Sequence, residues 1–524
     1  MLYIGEPDRG GPDAWGAMTL RADYLMLLMN VDFLRFFFPA LNLLALIILG
    51  FYSLNRISLV RRYWKHRDRY VRPRDRYSET NLPKVTVQLP IYNEINVVER
   101  LLAATAKIDY PPEKFEIQVL DDSTDRTQEV CQAVVARLQK CGSNIQYIHR
   151  QTRTGFKAGA LEHGLQFAQG ELIAIFDADF VPPSQILREI VDHFTDPQVA
   201  MVQARWSHLN RSSSLLTRIQ SLMLDSHFTV EQTARNRSNC FFNFNGTAGM
   251  WRIGAIADAG GWQHDTLTED LDLSYRTQLK GWRCVYLPEI HVPAEVPVGI
   301  NAFRGQQFRW TKGSIQTMRK HLVEILFSQE SFGVKCESFI HLTSNIVYPL
   351  LLLIALIALP NQLALTETRW DYGTTFHLFL FFCTTLSISL FYVVAQIALR
   401  PERDRGLLHS IHEIPMLLCL GIGISLNQSV AFFEGLLGKK TAFVRTPKLG
   451  MAGTTLKLSN SPLKMMYRAR KKNLLPYFEI GMAAYALGTA AIAFNRGNYL
   501  SLPFLLMFVI GFAYVGVVSL FSQD

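Results

Sequence analysis

The segment Glu171–Val181, ELIAIFDADFV, is an apolar run that ends in two carboxylates, Asp177 and Asp179, with one small residue between them. Leu172, Ile173, Ala174, Ile175 and Phe176 suit a strand buried on both faces, because a continuous β-branched and aromatic run fits the middle of a parallel sheet. The carboxylates then fall at the carboxyl end of that strand, where open α/β sheets bind ligands. If the pleat continues through them, Asp177 and Asp179 point one way and Ala178 the other. Two hard oxygen ligands facing one cleft suit a divalent cation that a substrate's phosphates also hold. The plainer reading is a strand that stops and turns, with Asp as turn residues and Pro182 and Pro183 as punctuation.

Outward from this strand the pattern repeats. Between about Lys84 and Glu295, apolar runs at Val85–Leu89, Phe115–Leu120, Ile145–Ile148 and Val199–Val202 alternate with helical patterns near Val97–Ala106, Gln128–Leu138, Ala158–Phe167 and Gln185–Phe194. Such alternation implies right-handed crossovers and a mostly parallel sheet. Three strand ends carry polar punctuation: Pro90, Tyr92, Asn93 and Glu94; Asp121 to Asp125; and Asp177 with Asp179. One acidic strand end is usually a turn or a cap, and Asp125 before Arg126 and Thr127 reads as that alone. Three that converge point to a binding crevice. Arg153 to Gly159 opens a helix with cations and two glycines, which suits a diphosphate near backbone N–H groups and the positive end of the helix dipole. No Gly-x-Gly-x-x-Gly or P-loop pattern occurs, which disfavours dinucleotide redox chemistry and P-loop hydrolysis.

At 524 residues and 49% hydrophobic content, the chain is too long for one ordinary domain and too apolar to be wholly soluble. Its formal charge of +9 gathers beside apolar runs, which points to a membrane surface and not to nucleic acid. Seven cysteines without Cys-x-x-Cys spacing indicate neither a disulfide framework nor a zinc site. The first thirty residues lack the pattern of a removable signal peptide. Residues 1–32 are expected outside the cytoplasm and 33–55 across the bilayer, with Phe33–Leu54 long enough to span it. The linker 56–83, crowded with Arg56, Arg61, Arg62, Lys65 and further arginines, is then cytoplasmic, as are residues 84–335, the expected catalytic domain.

QLPIYNE at Gln88–Glu94, DDSTD at Asp121–Asp125, GFKAGAL at Gly155–Leu161, FDADF at Phe176–Phe180, NGTAGMWR at Asn245–Arg252, TED at Thr268–Asp270 and QQFRW at Gln306–Trp310 follow in order. Together they resemble the processive, membrane-integrated family 2 glycosyltransferases, nearest the cellulose synthases and the cellulose synthase-like mannan and glucan synthases. The likeness covers nearly the whole chain. It implies an α/β GT-A-type, Rossmann-like cytoplasmic domain joined to an all-α transmembrane bundle. It implies that Asp122, with Asp121 and the turn of Pro90, Tyr92 and Glu94, holds the nucleoside of a nucleotide sugar. Asp179 with Asp177 would hold Mg2+ or Mn2+ against the diphosphate, with Lys157 adding charge and Arg309 reaching a phosphate.

In the motif Thr268, Glu269, Asp270 the resemblance implies a general base, assigned to Asp270, a role typically worth about 10²- to 10⁴-fold. A helix start with Thr268 as cap and acids in its first turn is the structural alternative. One displacement inverts the anomeric centre, so an α-linked donor yields a β-linkage. Asp272 is expected to be structural. Gln306 and Trp310 would meet the product as it leaves, since an indole stacks on the flat face of a pyranose.

Ile315–Phe327, with Arg319, Lys320 and His321 on its polar side, is expected to be an amphipathic helix resting on the bilayer. In the region 336–524, Phe339–Leu359, Phe376–Leu399, Leu475–Phe494 and Tyr499–Leu520 are each long enough to cross. The stretch 411–437 carries His412, Glu413, Pro415, Asn427, Gln428 and Glu434, costly in lipid, and is expected to be interfacial or re-entrant. The loop 438–472 after it is basic and without acids, which keeps it inside and leaves five crossings with a cytoplasmic carboxyl terminus. Its Phe443, Val444, Arg445, Thr446, Pro447 and Lys448 resemble the gating-loop motif of cellulose synthases, Phe-x-Val-Thr-x-Lys, with Arg445 where valine is expected. The resemblance implies a lid over the nucleotide, with Thr446 and Lys448 reaching phosphates; contact with anionic lipid explains the charge equally well. Polar residues within the spans, among them Asn345, Thr384, Thr385, Ser387 and Ser389, could line a polymer path or serve helix packing.

The expected protein is a multi-pass membrane enzyme that polymerises a β-glycan from a nucleotide sugar, UDP-glucose before GDP-mannose, and passes it outward. A single amino-terminal span and a short chain place it nearer the cellulose synthase-like group. Its partners are the donor, the growing polysaccharide and the lipid bilayer, in the plasma membrane of a bacterium or the Golgi of a eukaryote; no accessory subunit or homo-oligomer is specified. Transfer of one sugar to a lipid carrier, and a non-catalytic transporter or scaffold, are the alternatives.

Overall fold

A computed structural model describes residues 13–364, 372–399, 411–441, 445, 446, 448, 450 and 474–522. Its centre is a seven-stranded sheet of β1 (Val85–Ile91), β2 (Phe115–Asp121), β3 (Ile145–His149), β4 (Leu172–Ile175), β5 (Val199–His208), β6 (Gly249–Arg252) and β7 (Arg283–Ala294), in the order β3-β2-β1-β4-β6-β5-β7. The strands from β3 to β4 in that order run parallel, β6 is antiparallel to both neighbours, and β7 is parallel to β5.

The run that opened the sequence analysis is indeed buried on both faces. Leu172, Ala174 and Phe176 enter one hydrophobic layer, with Val87, Leu89 and Val119. Ile173 and Ile175 enter the opposite layer, with Leu161, Phe244 and Trp251. Each fully buried aliphatic side chain of this kind stabilises the fold by about 1.5–3 kcal/mol. The strand stops at Ile175, one residue short of the expectation, and the backbone then turns, with the N–H of Phe180 bonded to the carbonyl of Asp177 at 3.0 Å. Asp177 and Asp179 are therefore turn residues, and the pleat is not what directs them.

Two strands were not evident in the sequence. β6 is only four residues long, and its partners β4 and β5 lie far away in the chain. β7 is interrupted by Pro288 and Glu289 and is half-exposed, so no continuous apolar run announces it.

Among the described residues, five helices are long and apolar enough to cross a membrane: Phe36–His66, Phe332–Ala364, Phe379–Ala398, Leu475–Asn495 and Tyr499–Phe521. The first and second run beyond the expected ends, and the helix containing the first continues through Arg56, Arg61, Arg62 and Lys65. The stretch 411–437 forms two helices, Glu413–Gly423 and Ser425–Leu436, meeting at 51°. Its polar residues face protein: Glu413 pairs with Arg218 at 2.9 Å and Glu434 with Lys312 at 2.8 Å.

The expected interfacial helix Ile315–Phe327 is the second half of one 28-residue helix, Ile300–Phe327. Lys320 and His321 on its polar side both bind the buried carboxylate of Asp272, at 2.9 and 2.8 Å. Within the spans, the hydroxyls of Thr384, Thr385, Ser387 and Ser389 bond to carbonyls four residues back on their own helix. Asn345 accepts a bond from Thr311 at 3.1 Å and ties the long helix to the bundle.

Candidate active site

The chain leaves β1 to build β2 and β3 on one side and returns to place β4 on the other, so the loops after β1 and β4 part above the sheet. A ligand crevice is expected at such a reversal, and a cavity of about 210 Å³ lies there. Pro90, Tyr92, Glu94, Asp122, Asp177 and Asp179 line it from the strand ends, and Lys157 from the helix Phe156–Leu165. Thr268, Glu269 and Asp270 close one wall, Gln306, Arg309 and Trp310 a second, and Arg445, Thr446 and Lys448 lie across the opening. Phe443 lies outside the described residues.

Asp121 is the exception among the strand-end acids. It is fully buried behind the crevice, where its carboxylate accepts bonds from the Ser123 N–H at 2.9 Å and the Tyr147 hydroxyl at 2.7 Å. It shapes the turn that presents Asp122, whose own carboxylate is gripped by Arg150 through Nε at 2.8 Å and a second guanidinium nitrogen. The turns after β1 and β2 are tied together, with the Asn93 N–H donating to Ser123 Oγ at 2.8 Å and Asn93 Oδ1 accepting from the Thr124 N–H at 2.8 Å. Arg153 lies over the ring of Tyr92, 3.4 Å from its centroid.

Both carboxylates of the turn after β4 are held by ammonium groups. Lys157 Nζ lies 2.5 Å from Asp177 Oδ1 and donates to the Gly246 carbonyl at 2.8 Å. Lys448 Nζ lies 2.6 Å from Asp179 Oδ2 and donates to the Glu295 carbonyl at 3.1 Å. Burial raises Asp177 above the usual carboxylate range despite Lys157. Burial would lower Lys157, but Asp177, Glu269 and Asp270 outweigh it and raise it. Hard oxygens that already bind cationic nitrogen are a donor set that fits a divalent cation. Among the described residues no group of three or more His, Cys, Asp or Glu could cage a metal alone.

Glu269 and Asp270 start the helix Glu269–Leu279, and the Thr268 side chain makes no cap bond to it; its hydroxyl lies 3.4 Å from that of Thr317. Burial, joined by the charge of Glu269, pushes Asp270 up to about 7, and burial raises Glu269 in the same direction. Two residues on, burial also acts on Asp272, but His321, Arg276 and Lys320 overcome it and hold that carboxyl at about 2. Two acids on one helix turn are thereby driven apart, a pattern that marks different tasks.

The wall depends on Gly313. A Cβ there would stand 2.5 Å from Thr268 Cγ2 and 2.9 Å from its backbone nitrogen. Gly313→Ala is expected to push Thr268–Asp270 off the Ile300–Phe327 helix, an overpacking cost of about 1–3 kcal/mol, and to lower turnover about tenfold or more. Gly305→Ala on the same helix, where a Cβ meets nothing within 4 Å, serves as control; equal turnover in both variants would refute the packing argument.

Gln306, Arg309 and Trp310 share one face of that helix by their three- and four-residue spacing. Arg309 donates to Thr446 Oγ1 at 2.7 Å, and Trp310 lines the crevice while packing against the core layer that holds Trp251. Arg445 Nε pairs with Glu94 at 2.9 Å, and a second nitrogen donates to the Asn93 carbonyl. Burial pushes Glu94 up to about 8 against the pull of Arg445. Trp206, His208 and Glu295 also line the crevice and were not singled out from sequence, and Asn245 lines it from the NGTAGMWR motif, to which no role was assigned. The signal for Trp206 and His208 was the length of β5, which runs six residues past Val202 and carries them to the cleft.

The fold and this crevice define a GT-A-type glycosyltransferase. Residues 83–313 match the family described as Glycosyltransferase like family 2. The chain is 34% identical over 483 residues to Glucomannan 4-beta-mannosyltransferase 2 of Arabidopsis thaliana, covering 88% of this chain and 87% of that protein. It is 34% identical over 462 residues to Glucomannan 4-beta-mannosyltransferase 1 of Oryza sativa subsp. japonica, covering 83% of each. The fold also resembles the mannosyltransferase PcManGT from Pyrobaculum calidifontis, solved in complex with GDP-Man and Mn2+, with a TM-score of 0.50 and 19% identity over 77% of this chain and 100% of that one. The chain belongs to the family 2 glycosyltransferases, in their cellulose synthase-like group, and is a polysaccharide-synthesising enzyme.

Proposed function

We propose that the protein extends a β-linked mannan or glucomannan from GDP-mannose at the cytoplasmic face of a membrane and passes the product through its helical bundle. One observation carries the reading: a single crevice gathers Asp122, Asp177, Asp179 and Asp270 beside Lys157, Arg309 and Trp310. The relatives, named glucomannan 4-beta-mannosyltransferases, move the donor from the UDP-glucose favoured on sequence grounds to GDP-mannose.

Tyr92 and Asp122 hold the nucleoside end, and the diphosphate lies toward Asp177, Asp179, Lys157, Lys448 and Arg309. Asp179 and Asp177 would hold a Mg2+ or Mn2+ ion, which would supply positive charge to the departing diphosphate. The acceptor hydroxyl attacks the anomeric carbon as the bond to the diphosphate breaks, the nucleoside diphosphate leaves with the electron pair, and Asp270 takes the proton. Burial and the charge of Glu269 keep that carboxyl basic enough for the task. Thr446 and Lys448 close the opening against water. Trp310 sits on a helix whose Thr311 and Lys312 bind the bundle, so the product leaves the crevice beside the membrane helices.

A carboxylate acts as base only when ionised, and the Asp270 carboxyl is raised, so activity is lost on the acid side. With the group at about 7, kcat/KM is expected to rise with pH below 7, about tenfold per unit, and to flatten above it. A profile flat from pH 5 to 8, measured at fixed metal, would remove Asp270 from the role. Purified protein incubated with Mn2+ and either radiolabelled GDP-mannose or UDP-glucose tests the whole proposal by the size and linkage of the product. A polymer with β-linked mannose supports it, whereas a single sugar on lipid, or turnover of UDP-glucose alone, overturns it.

A further inference from the structure

We infer that a basic cavity at the inner end of the first membrane helix binds the phosphate headgroup of an anionic phospholipid. The cavity, of about 420 Å³, lies well apart from the sugar crevice and is lined by Arg61, Arg62, Lys65 and His66 of the first helix, Ser238 to Cys240, and Ser331, Gly333 and Val334. Arg61 and Lys65, and Arg62 and His66, are each four residues apart, which places them in two adjacent rows on one side of a helix, with Arg61, Arg62 and Lys65 carrying the charge.

Their charge is largely uncompensated. Arg62 has the Glu337 carboxylate at 3.8 Å, but that group already takes the Arg235 Nε at 3.0 Å. Among the described residues, no carboxylate pairs with Arg61 or Lys65. The opposite wall is the start of the 12-residue helix Phe332–Thr343, where Ser331 Oγ accepts from the Val334 N–H at 3.4 Å. The N–H groups of Phe332 and Gly333 have no intrahelical carbonyl to meet and favour an anion.

The cavity also sits at headgroup depth. The exposed face of the first helix is apolar through Phe51, Leu54 and Ile57, then changes to Arg61, Trp64 and Lys65. That change, with an aromatic residue at the boundary, marks the edge of the hydrocarbon. Phe332, between the lining residues Ser331 and Gly333, is 82% exposed, and Phe327 and Val323 on the preceding helix are 83% and 66% exposed, apolar surface suited to acyl chains. Cations and amides on one side and lipid-seeking rings on the other describe a phospholipid and not a free anion.

The full chain in neutral detergent can be titrated with short-chain phosphatidic acid, phosphatidylcholine or inorganic phosphate, with retention read by native mass spectrometry. Phosphatidic acid is expected to be retained, and Arg61→Gln with Lys65→Gln to weaken it roughly 30-fold, from the usual worth of two basic residues against anionic lipid. Arg69→Gln with Arg72→Gln removes the same charge outside the cavity and is expected to cost no more than about threefold. Arg61→Gln or Lys65→Gln alone, expected to cost roughly fivefold, replaces the double variant if that is unstable. Equal losses in the two double variants, equal retention of phosphatidylcholine, or displacement by equimolar inorganic phosphate each overturn the assignment. None of these outcomes depends on which sugar the enzyme transfers.

Discussion

Asp270→Asn is expected to abolish glycosyl transfer, a fall of about 10²- to 10⁴-fold in turnover, while donor affinity stays within a few fold. The side chain keeps its size and its bond from the Leu271 N–H at 2.8 Å, so the helix start is preserved and only the proton acceptor is lost. Single-turnover transfer, together with nucleotide binding by calorimetry, separates the two effects. A large loss of binding would mean that Asp270 holds the donor or the fold instead of the acceptor's proton. Asp272→Asn gives the contrasting case. Its carboxylate is buried among Arg276, His321 and Lys320, so its loss leaves cations unpaired and destabilises the domain, by about 3–5 kcal/mol for a broken buried pair.

Asp179→Ala is expected to weaken metal-supported donor binding roughly tenfold or more, since an oxygen ligand contributes directly to a shared divalent ion. The same carboxylate pairs with Lys448 at 2.6 Å, so the variant removes both the proposed metal ligand and that ion pair. Lys448→Gln removes the ion pair while leaving the Asp179 carboxylate, and so separates the two contributions. Calorimetric titration of GDP-mannose with and without Mn2+ measures them, and an unchanged dependence on metal in Asp179→Ala would exclude Asp179 as its ligand.

These variants touch residues that were legible at different levels. The strand Leu172–Ile175 could be read directly, because burial on both faces of a sheet demands an unbroken apolar run, and that demand is local. The membrane helices were legible for the same reason: lipid requires length and apolarity of each segment separately. β6 could not be read this way. Its four residues gain their pairing from β4 and β5, and the sequence-local signal is too short to compete. The half-exposed β7 was hidden by Pro288 and Glu289, which the edge position of that strand tolerates.

Within the crevice, side-chain type was legible and direction was not. Asp121 and Asp122 are adjacent acids of one motif, yet one is turned back to Tyr147 while the other faces the cavity. Lys320 and His321 looked like the polar side of a membrane-surface helix until their partner Asp272 came into view. By itself the chain determined its mostly parallel α/β core, its apolar spans and the inventory of acids, cations and aromatics at strand ends, since each follows from the chemistry of a few neighbouring residues. Only the tertiary structure decided which of those groups share a cavity, which carboxyl is raised and which lowered, and where Arg61 and Lys65 meet another helix, because burial and charge pairing are properties of residues brought together from distant parts of the chain.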